Sequence, residues 1–354
     1  MTNSSLLNAK KAKNDEFYTQ LSDVESELQS YKSHFENKVV YCNCDDPQSS
    51  NFFNYFASNF KELGLKKLIA SCYREQVGDL FDTKDDERGF FFEYTGTKGE
   101  KKKPSSTDII YFNGSGDFRS SESIELLKQS DIVVTNPPFS LFREHVAQLV
   151  KYDKKFLIIG SINAITYKEI FNLIKENKFW LGTTNFNKGM YFKVPSGFVY
   201  SNTYKFEKEQ NGEKVNRVPG VCWFTNLYHG RRHQPKPFMT MEENLKFSKH
   251  KELKGKKSYD RYENYDAIDV PFVDAIPSDY EGIMGVPITF LDKYSPDQFE
   301  ILGVASSASY NKEVVGIPFL GKKDARPLIN GKNIYARVFI KKNRKNNMKT
   351  FFGF

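Results

Sequence analysis

The segment DIVVTNPPFS, residues 131–140, holds the residues best suited to chemistry. Apolar and β-branched residues lead directly into Asn136, Pro137, Pro138 and Phe139. Two successive prolines fix φ and remove two backbone donors, so the turn is stiff and its carbonyls are free to accept. The Asn136 amide oxygen and the Pro137 carbonyl can accept the two hydrogens of one exocyclic amino group, and Phe139 can offer a ring face to a planar base. Such a set polarises an amino group while holding its aromatic ring. The plainer alternative is a rigid strand-to-helix turn. The tetrapeptide alone does not separate the two, but its setting does.

That setting is a series of short apolar strands and amphipathic helices. SDVESELQSYKSHF predicts a helix, with Ser22 as N-cap and Glu25 completing a capping box. KVVYCNC (38–44) reads as a buried strand, followed by a turn at DDPQSS and a helix, NFFNYFASNFKELG, that ends at Gly64. LKKLIASCY (65–73) is a second strand, TDIIYFNG (107–114) a third, DIVVTN a fourth and KFLIIG (155–160) a fifth, with helices predicted at SESIELLKQS, LFREHVAQLVKY and TYKEIFNLIKEN. Residues 74–106 read as a polar excursion, 183–220 as loops or hairpins, and VCWFTNLY (221–228) as one further strand. The alternation predicts an α/β, Rossmann-like fold: a mainly parallel sheet with helices on both faces. Ligands of such sheets sit beyond the carboxyl ends of the strands. CNCDDPQSSN, NGSGDF and TNPPFS all follow strands directly.

The chain has 354 residues, enough for about two domains. Hydrophobic residues make up 39%, and an aromatic share of 15% supplies the bulk a core needs. No apolar run approaches the ~18 residues of a membrane span, and the N-terminus lacks a signal-peptide stretch, so a cytoplasmic protein is expected. The four cysteines, Cys42, Cys44, Cys72 and Cys222, are too few for a disulfide scaffold. Neither Cys42 with Cys44 nor His229 with His233 has partner ligands in register, so no metal is expected. The net charge is +8. Residues 1–228 carry about +1 and residues 229–354 about +7. The excess lies in two clusters, Arg231, Arg232, Lys256 and Lys257 in one and Lys341, Lys342, Arg344 and Lys345 in the other. Either could be a solvated face. Together they suggest a polyanion-binding region at 229–354 behind a catalytic domain at 15–228, with a flexible basic arm at 1–14.

NPPF after a central strand resembles the catalytic motif of amino-group methyltransferases that use S-adenosyl-L-methionine. The blocks KNDEFYTQLSDVESELQSYKSHF, KVVYCNCDDPQSSNFFNYF, GDFRSSESIELLKQSDIVVTNPPFSLFRE and GVPITFL, among others, resemble the EcoRI-type adenine-specific (N6) DNA methyltransferase family. They cover most of residues 14–182 and return near 262–302; 74–106, 183–220, 231–258 and 303–330 diverge. The resemblance implies methyl transfer to N6 of adenine in double-stranded DNA by base flipping, in a restriction-modification or DNA-protection context. It implies that Asn136, Pro137, Pro138 and Phe139 hold the target adenine. It further implies that Asp117 and Phe118 contact the cofactor adenine, that Tyr18 and Thr19 close over its methionine part, and that the first cofactor loop binds through Asn43 and a carboxylate supplied by Asp45 or Asp46. That loop, CNCDDPQSSNF, lacks the usual glycines. Glu75 is the candidate for the ribose hydroxyls. Trp223 is assigned to the second face of a flipped base, with a plain core aromatic as the alternative. A bacterial or phage-encoded monomer is expected, with a restriction endonuclease encoded nearby but not stably bound. The alternatives are an RNA adenine-N6 methyltransferase and a catalytically silent DNA-binding protein of this fold.

Overall fold

The computed structural model describes residues 18–74, 88–97, 103–185, 189–193, 208–210, 213–306, 315–321 and 324–343. The arm 1–14, Glu75, Arg344 and Lys345 lie outside the described residues, as does the side chain of Tyr18. The chain divides into two compact units, Met1–Ile162 with Leu181–Tyr228, and Asn163–Trp180 with His229–Phe354. Residues 163–180, expected in the first domain, thus group with the second unit. Among the described residues no helix is long and apolar enough to cross a membrane.

The first unit runs β1 (Tyr18–Thr19), α1 (Leu21–Leu28), β2 (Val39–Cys42), α2 (Asn51–Ser58), β3 (Lys67–Cys72), β4 (Phe90–Tyr94), β5 (Ile110–Tyr111), α3 (Ser121–Gln129), β6 (Ile132–Thr135), α4 (Phe142–Lys151) and β7 (Lys155–Ser161). It continues through β8 (Trp180–Leu181), within which the division falls, to β9 (Met190–Lys193), β10 (Lys208–Gln210), β11 (Glu213–Val218) and β12 (Val221–Thr225). The main sheet has the order β5-β4-β3-β2-β6-β7-β12-β8. Strands β3, β2, β6 and β7 are parallel, whereas β4 and β5 on one side and β12 on the other are antiparallel. The sheet is therefore mixed rather than mainly parallel.

All residues of β2 and β6 are buried, which requires cover on both faces. Val24 and Leu28 of α1 and Phe52, Phe53 and Phe56 of α2 pack on one face, in a cluster with Val40, Val134, Ile159 and Trp223. On the other face Phe142 of α4 meets Phe224. Gly160 is obligatory there, because a Cβ would fall 2.4 Å from the Phe142 ring. The N-terminal motif is held by a second, antiparallel sheet of order β1-β9-β11-β10.

Three local expectations are corrected. Helix α1 begins at Leu21 with Gln20 as N-cap, so Ser22 lies inside the first turn and forms no capping box. The strand expected at 107–114 shrinks to Ile110–Tyr111 at the sheet edge. The place beside β3 goes instead to β4, with alternate residues Phe90, Phe92 and Tyr94 buried. This strand lies within the stretch read as a polar excursion, where the surrounding charge masked the FFFEY pattern.

The second unit contains α5 (Lys168–Lys175), α6 (Met241–Phe247), β13 (Ile268–Asp269), β14 (Met284–Pro287), β15 (Phe299–Ala305), β16 (Leu328–Ile329), β17 (Lys332–Asn333) and β18 (Arg337–Lys342). Strands β13-β14-β18-β15 form one sheet and β16-β17 a hairpin. Helix α6 starts with a full capping box between Thr240 and Glu243. Tyr262, Tyr265 and Phe339 anchor the core. Beside it the Arg337–Asp269 ion pair, at 2.8 Å, is almost wholly buried.

Candidate active site

The order of the main sheet reverses at β2, with β3 on one side and β6 on the other. Such a switch point opens a crevice beyond the carboxyl ends of the strands. The loop Asn43–Ser50 follows β2, and Asn136 follows β6 directly. Sequence patterning thus brings the two chemical segments together.

The turn after β6 is built as its prolines require. Pro138 is extended, at φ −54° and ψ 124°, and its carbonyl accepts from the Leu141 amide at 2.9 Å, starting the short 3-10 turn Phe139–Leu141. Pro137 is buried, while Asn136 and Pro138 are half-buried. Phe139, also half-buried, packs against the cluster formed by α1, α2 and the sheet.

Asp45 lies beneath this turn. One carboxylate oxygen accepts from Ser50 Oγ at 2.8 Å and the other from Thr135 Oγ1 at 2.6 Å. The Asn136 backbone amide also donates to the carboxylate. Burial nonetheless outweighs these donors and pushes the Asp45 carboxyl up to about 6. Ser50 has a second role as N-cap of α2, where its Oγ accepts from the amides of Phe52 and Phe53. Asp46 closes the loop, its carboxylate accepting from the Gln48 amide at 2.8 Å.

The GDF segment after β5 carries a carboxylate fixed in place. Arg119 donates to Asp117 through its backbone amide, Nε and a terminal nitrogen, at 2.8, 2.9 and 2.7 Å, and also reaches Glu144 at 2.8 Å. The Arg119 guanidinium holds the Asp117 carboxyl below the usual carboxylate range. Two carboxylate oxygens offer about four acceptor sites, so capacity for a further donor remains. Phe118 is buried and meets the edge of His145, ring centroids 5.1 Å apart. His145, on α4, also contacts Asn43 Oδ1 through Nε2 at 3.1 Å. Burial drives the His145 ring down to about 3, so it is neutral. One buried imidazole therefore ties together the loop after β2, the GDF segment and the helix after the NPPF turn. In the N-terminal motif the Thr19 carbonyl accepts from Asn51 Nδ2 at 2.8 Å, which fastens β1 to the start of α2.

Several expected ligands are otherwise engaged. The Asn43 side chain is 3% exposed and its oxygen is engaged with His145. Trp223 is 1% exposed and packs edge-on against Phe52 at 5.8 Å, so it is a core residue with no face for a base. In the second unit Arg232 is buried, stacks 4.0 Å above the Trp180 ring and donates to Asn177 at 2.7 Å. Arg231 pairs with buried Asp292 at 3.0 Å. Both arginines thus have partners within the second unit. Lys256 is exposed and pairs with Asp260 at 2.7 Å. Lys342 donates to the Ser278 carbonyl at 2.7 Å, and Lys341 lies opposite Glu300 across the sheet. Lys257 is exposed and forms no ion pair among the described residues.

The sequence reading missed Ser50, Thr135, His145 and Arg119. Ser50 carried a signal, since a serine just before an apolar periodic run marks an N-cap. The other three act across gaps of 90, 102 and 25 residues, and Arg119 besides binds its near neighbour Asp117.

Residues 5–343 match the family model described as adenine-specific methyltransferase EcoRI. The chain is 49% identical to the Type II methyltransferase M.EcoRI of Escherichia coli, over 97% of this chain and 98% of that protein. It is 40% identical to the Type II methyltransferase M.MgeORF184P of Mycoplasma genitalium, over 94% and 97%, and 38% identical to M.MpnI of Mycoplasma pneumoniae, over 94% and 96%. No solved structure matches the chain. With a family model spanning nearly its whole length and relatives aligned end to end, the chain belongs to the EcoRI family of adenine-specific DNA methyltransferases.

Proposed function

We propose that the NPPF turn, set over the switch point of the sheet, is where this DNA-adenine methyltransferase holds and activates the target amino group. The observation that carries the reading is that Asn136 leaves the carboxyl end of β6 with its backbone fixed from below by Asp45. The methyl donor is S-adenosyl-L-methionine, which supplies an activated methyl group on a good leaving group. Two features of the first unit suit that molecule. The Thr19 hydroxyl is buried and has no hydrogen-bond partner among the described residues. The Asp117 carboxylate is oriented by Arg119 and retains acceptor capacity. Tyr18, Thr19, Asp46, Asp117 and Phe118 would line the cofactor side.

Adenine cannot be reached inside a duplex, so it is flipped out, at a few kcal/mol offset by contacts in the pocket. The Asn136 amide oxygen and the Pro137 carbonyl accept the two N6 hydrogens and raise the nitrogen's nucleophilicity. Phe139, held half-exposed by the core beneath it, stacks on the base. Most of the acceleration then comes from positioning and from fixed dipoles. The surplus positive charge of residues 229–354 supports phosphate binding there, with Lys256, Lys257, Lys341 and Lys342 as contacts, joined by Arg344 and Lys345. A monomer acting beside a separately encoded endonuclease completes the proposal.

Asn136→Ala tests the central assignment. Loss of one polarising acceptor should cut kcat by about 10²–10³-fold, with affinities for DNA and cofactor retained. Phe139→Ala should keep partial turnover, because it loses stacking worth about 1–3 kcal/mol. Turnover by Asn136→Ala within a few-fold of wild type would reduce the segment to a stiff turn.

A further inference from the structure

We infer that Asp45 is a positioning residue for the NPPF turn, and not a ligand of the cofactor. This rests on the reading of Asn136 given above and deepens it. A carboxylate in a loop at the switch point would ordinarily be assigned to a ligand hydroxyl. Here the residue is buried, at 9% exposed against 26% for the Asp117 side chain, and its two oxygens receive three internal donors from separate segments, the Ser50 hydroxyl, the Thr135 hydroxyl and the Asn136 backbone amide. Those donors come from both walls of the crevice. Ser50 is the last residue before α2 and closes the loop after β2. Thr135 is the last residue of β6, and Asn136 is the residue whose amide must be aimed.

Asp45 is itself pinned, since its backbone amide donates to the Ser71 carbonyl of β3 at 3.0 Å. The carboxylate is thus a bracket linking β3, the loop, the N-cap of α2 and the catalytic strand end. Its energetic effect is on geometry. A shift of about 1 Å in a reacting group costs on the order of 10²-fold in rate, even when binding is untouched.

The surroundings support a lower pH limb for turnover. Asp46, adjacent in the loop, is the charged neighbour that raises the Asp45 carboxyl further, after burial itself. The thiols of Cys42 and Cys44 also face Asp45, and burial together with the Asp45 charge holds both well above the ordinary thiol range, so they stay protonated. Asp117 acts on Cys44 from the GDF segment, and His145 stays neutral. Strand β6 and the start of α2 bring only the hydroxyls of Thr135 and Ser50. Protonation of Asp45 near pH 6 therefore removes an acceptor from the bracket, and kcat should fall below that pH.

The test measures kcat at saturating DNA and cofactor, the cofactor Kd by calorimetry, and the pH profile, all on the full chain. For Asp45→Asn we expect kcat to fall 10- to about 100-fold with the cofactor Kd within about 3-fold of wild type, and the acid limb to vanish. Thr135→Val should lower kcat in the same sense, and Thr135→Ser, which keeps the hydroxyl, should recover most of it. A rise in cofactor Kd larger than the fall in kcat, or no change in either, overturns the inference. Should Asp45→Asn fail to fold, the Thr135→Val and Thr135→Ser pair decides: equal kcat for the two overturns it. Asn136→Ala run in parallel separates the two readings. If that variant is active, the assignment of the turn falls. If it is silent while Asp45→Asn weakens only cofactor binding, the bracket alone falls.

Discussion

Replacing Trp223 distinguishes a core residue from a base-stacking residue, because the two roles predict opposite readouts. The indole is 1% exposed on β12, in van der Waals contact with a cluster that includes Phe52, Val134 and Ile159. Its Nε1 is buried with no partner among the described residues. Trp223→Ala removes a whole buried aromatic, a change that typically costs about 3–5 kcal/mol through lost transfer energy and the cavity left behind. In a unit of this size each kcal/mol moves the melting temperature by about 2–4 °C, so Tm should drop by roughly 6–20 °C. Trp223→Phe should behave otherwise. It loses part of the apolar contact, but it also removes a buried donor whose desolvation costs about 1–3 kcal/mol. The two changes nearly cancel, and Tm should stay within a few degrees of wild type. The assays are a thermal melt and the fluorescence of 2-aminopurine at the target position, which brightens on flipping. The reasoning is refuted if Trp223→Ala melts like wild type while the flipped-base signal disappears.

Glu27 is fully buried and accepts from Tyr31 Oη and from the backbone amides of Thr183 and Thr184 at 2.9, 2.6 and 2.7 Å. Glu27→Ala should destabilise the first unit by about 2–4 kcal/mol in chemical denaturation, with Glu27→Gln losing less. Asp45 and His145 should give opposite slopes of stability against pH. The Asp45 carboxyl is raised to about 6 in the fold, so the native state holds its proton more tightly and stability grows as pH falls from about 6 toward 4. The buried His145 ring is lowered to about 3, so the unfolded state holds its proton more tightly and stability shrinks as pH falls below about 6.5. Each slope approaches ~1.4 kcal/mol per pH unit, so Asp45→Asn should make the protein more acid-labile and His145→Gln less so, as read by denaturation at pH 7 and pH 5. For DNA, Lys257→Ala should flatten the slope of log K against log salt by roughly 0.9 with no change in Tm. Arg231→Ala should lower Tm instead, because it strands the buried Asp292 carboxylate.

The sequence by itself determined the elements whose hydrophobic period is strong and local, and the turns whose backbone chemistry allows little choice. Strands β2, β3, β6 and β7 are apolar runs bounded by turn residues, and their parallel pairing follows from the helices between them. The Asn136–Phe139 turn needs nothing beyond two prolines at a strand end, and its place at a carboxyl end follows from the alternation. Tertiary structure decided what depends on partners distant in the chain. Strand β4 exists because β3 offers an open edge to Phe90–Tyr94, a pairing hidden in a charged stretch. Which internal partners a polar side chain finds was also decided there. Asp45, Asn43, Arg231 and Arg232 all have the chemistry of ligand-binding groups, yet each has an internal partner, in Thr135, His145, Asp292 and Asn177, at separations of 90, 102, 61 and 55 residues. Trp223 follows the same rule, since a period-2 strand pattern assigns it a face but not what covers that face. Residue type limits which interactions a side chain can make, and long-range packing selects among them, because burial makes each unmet polar group costly.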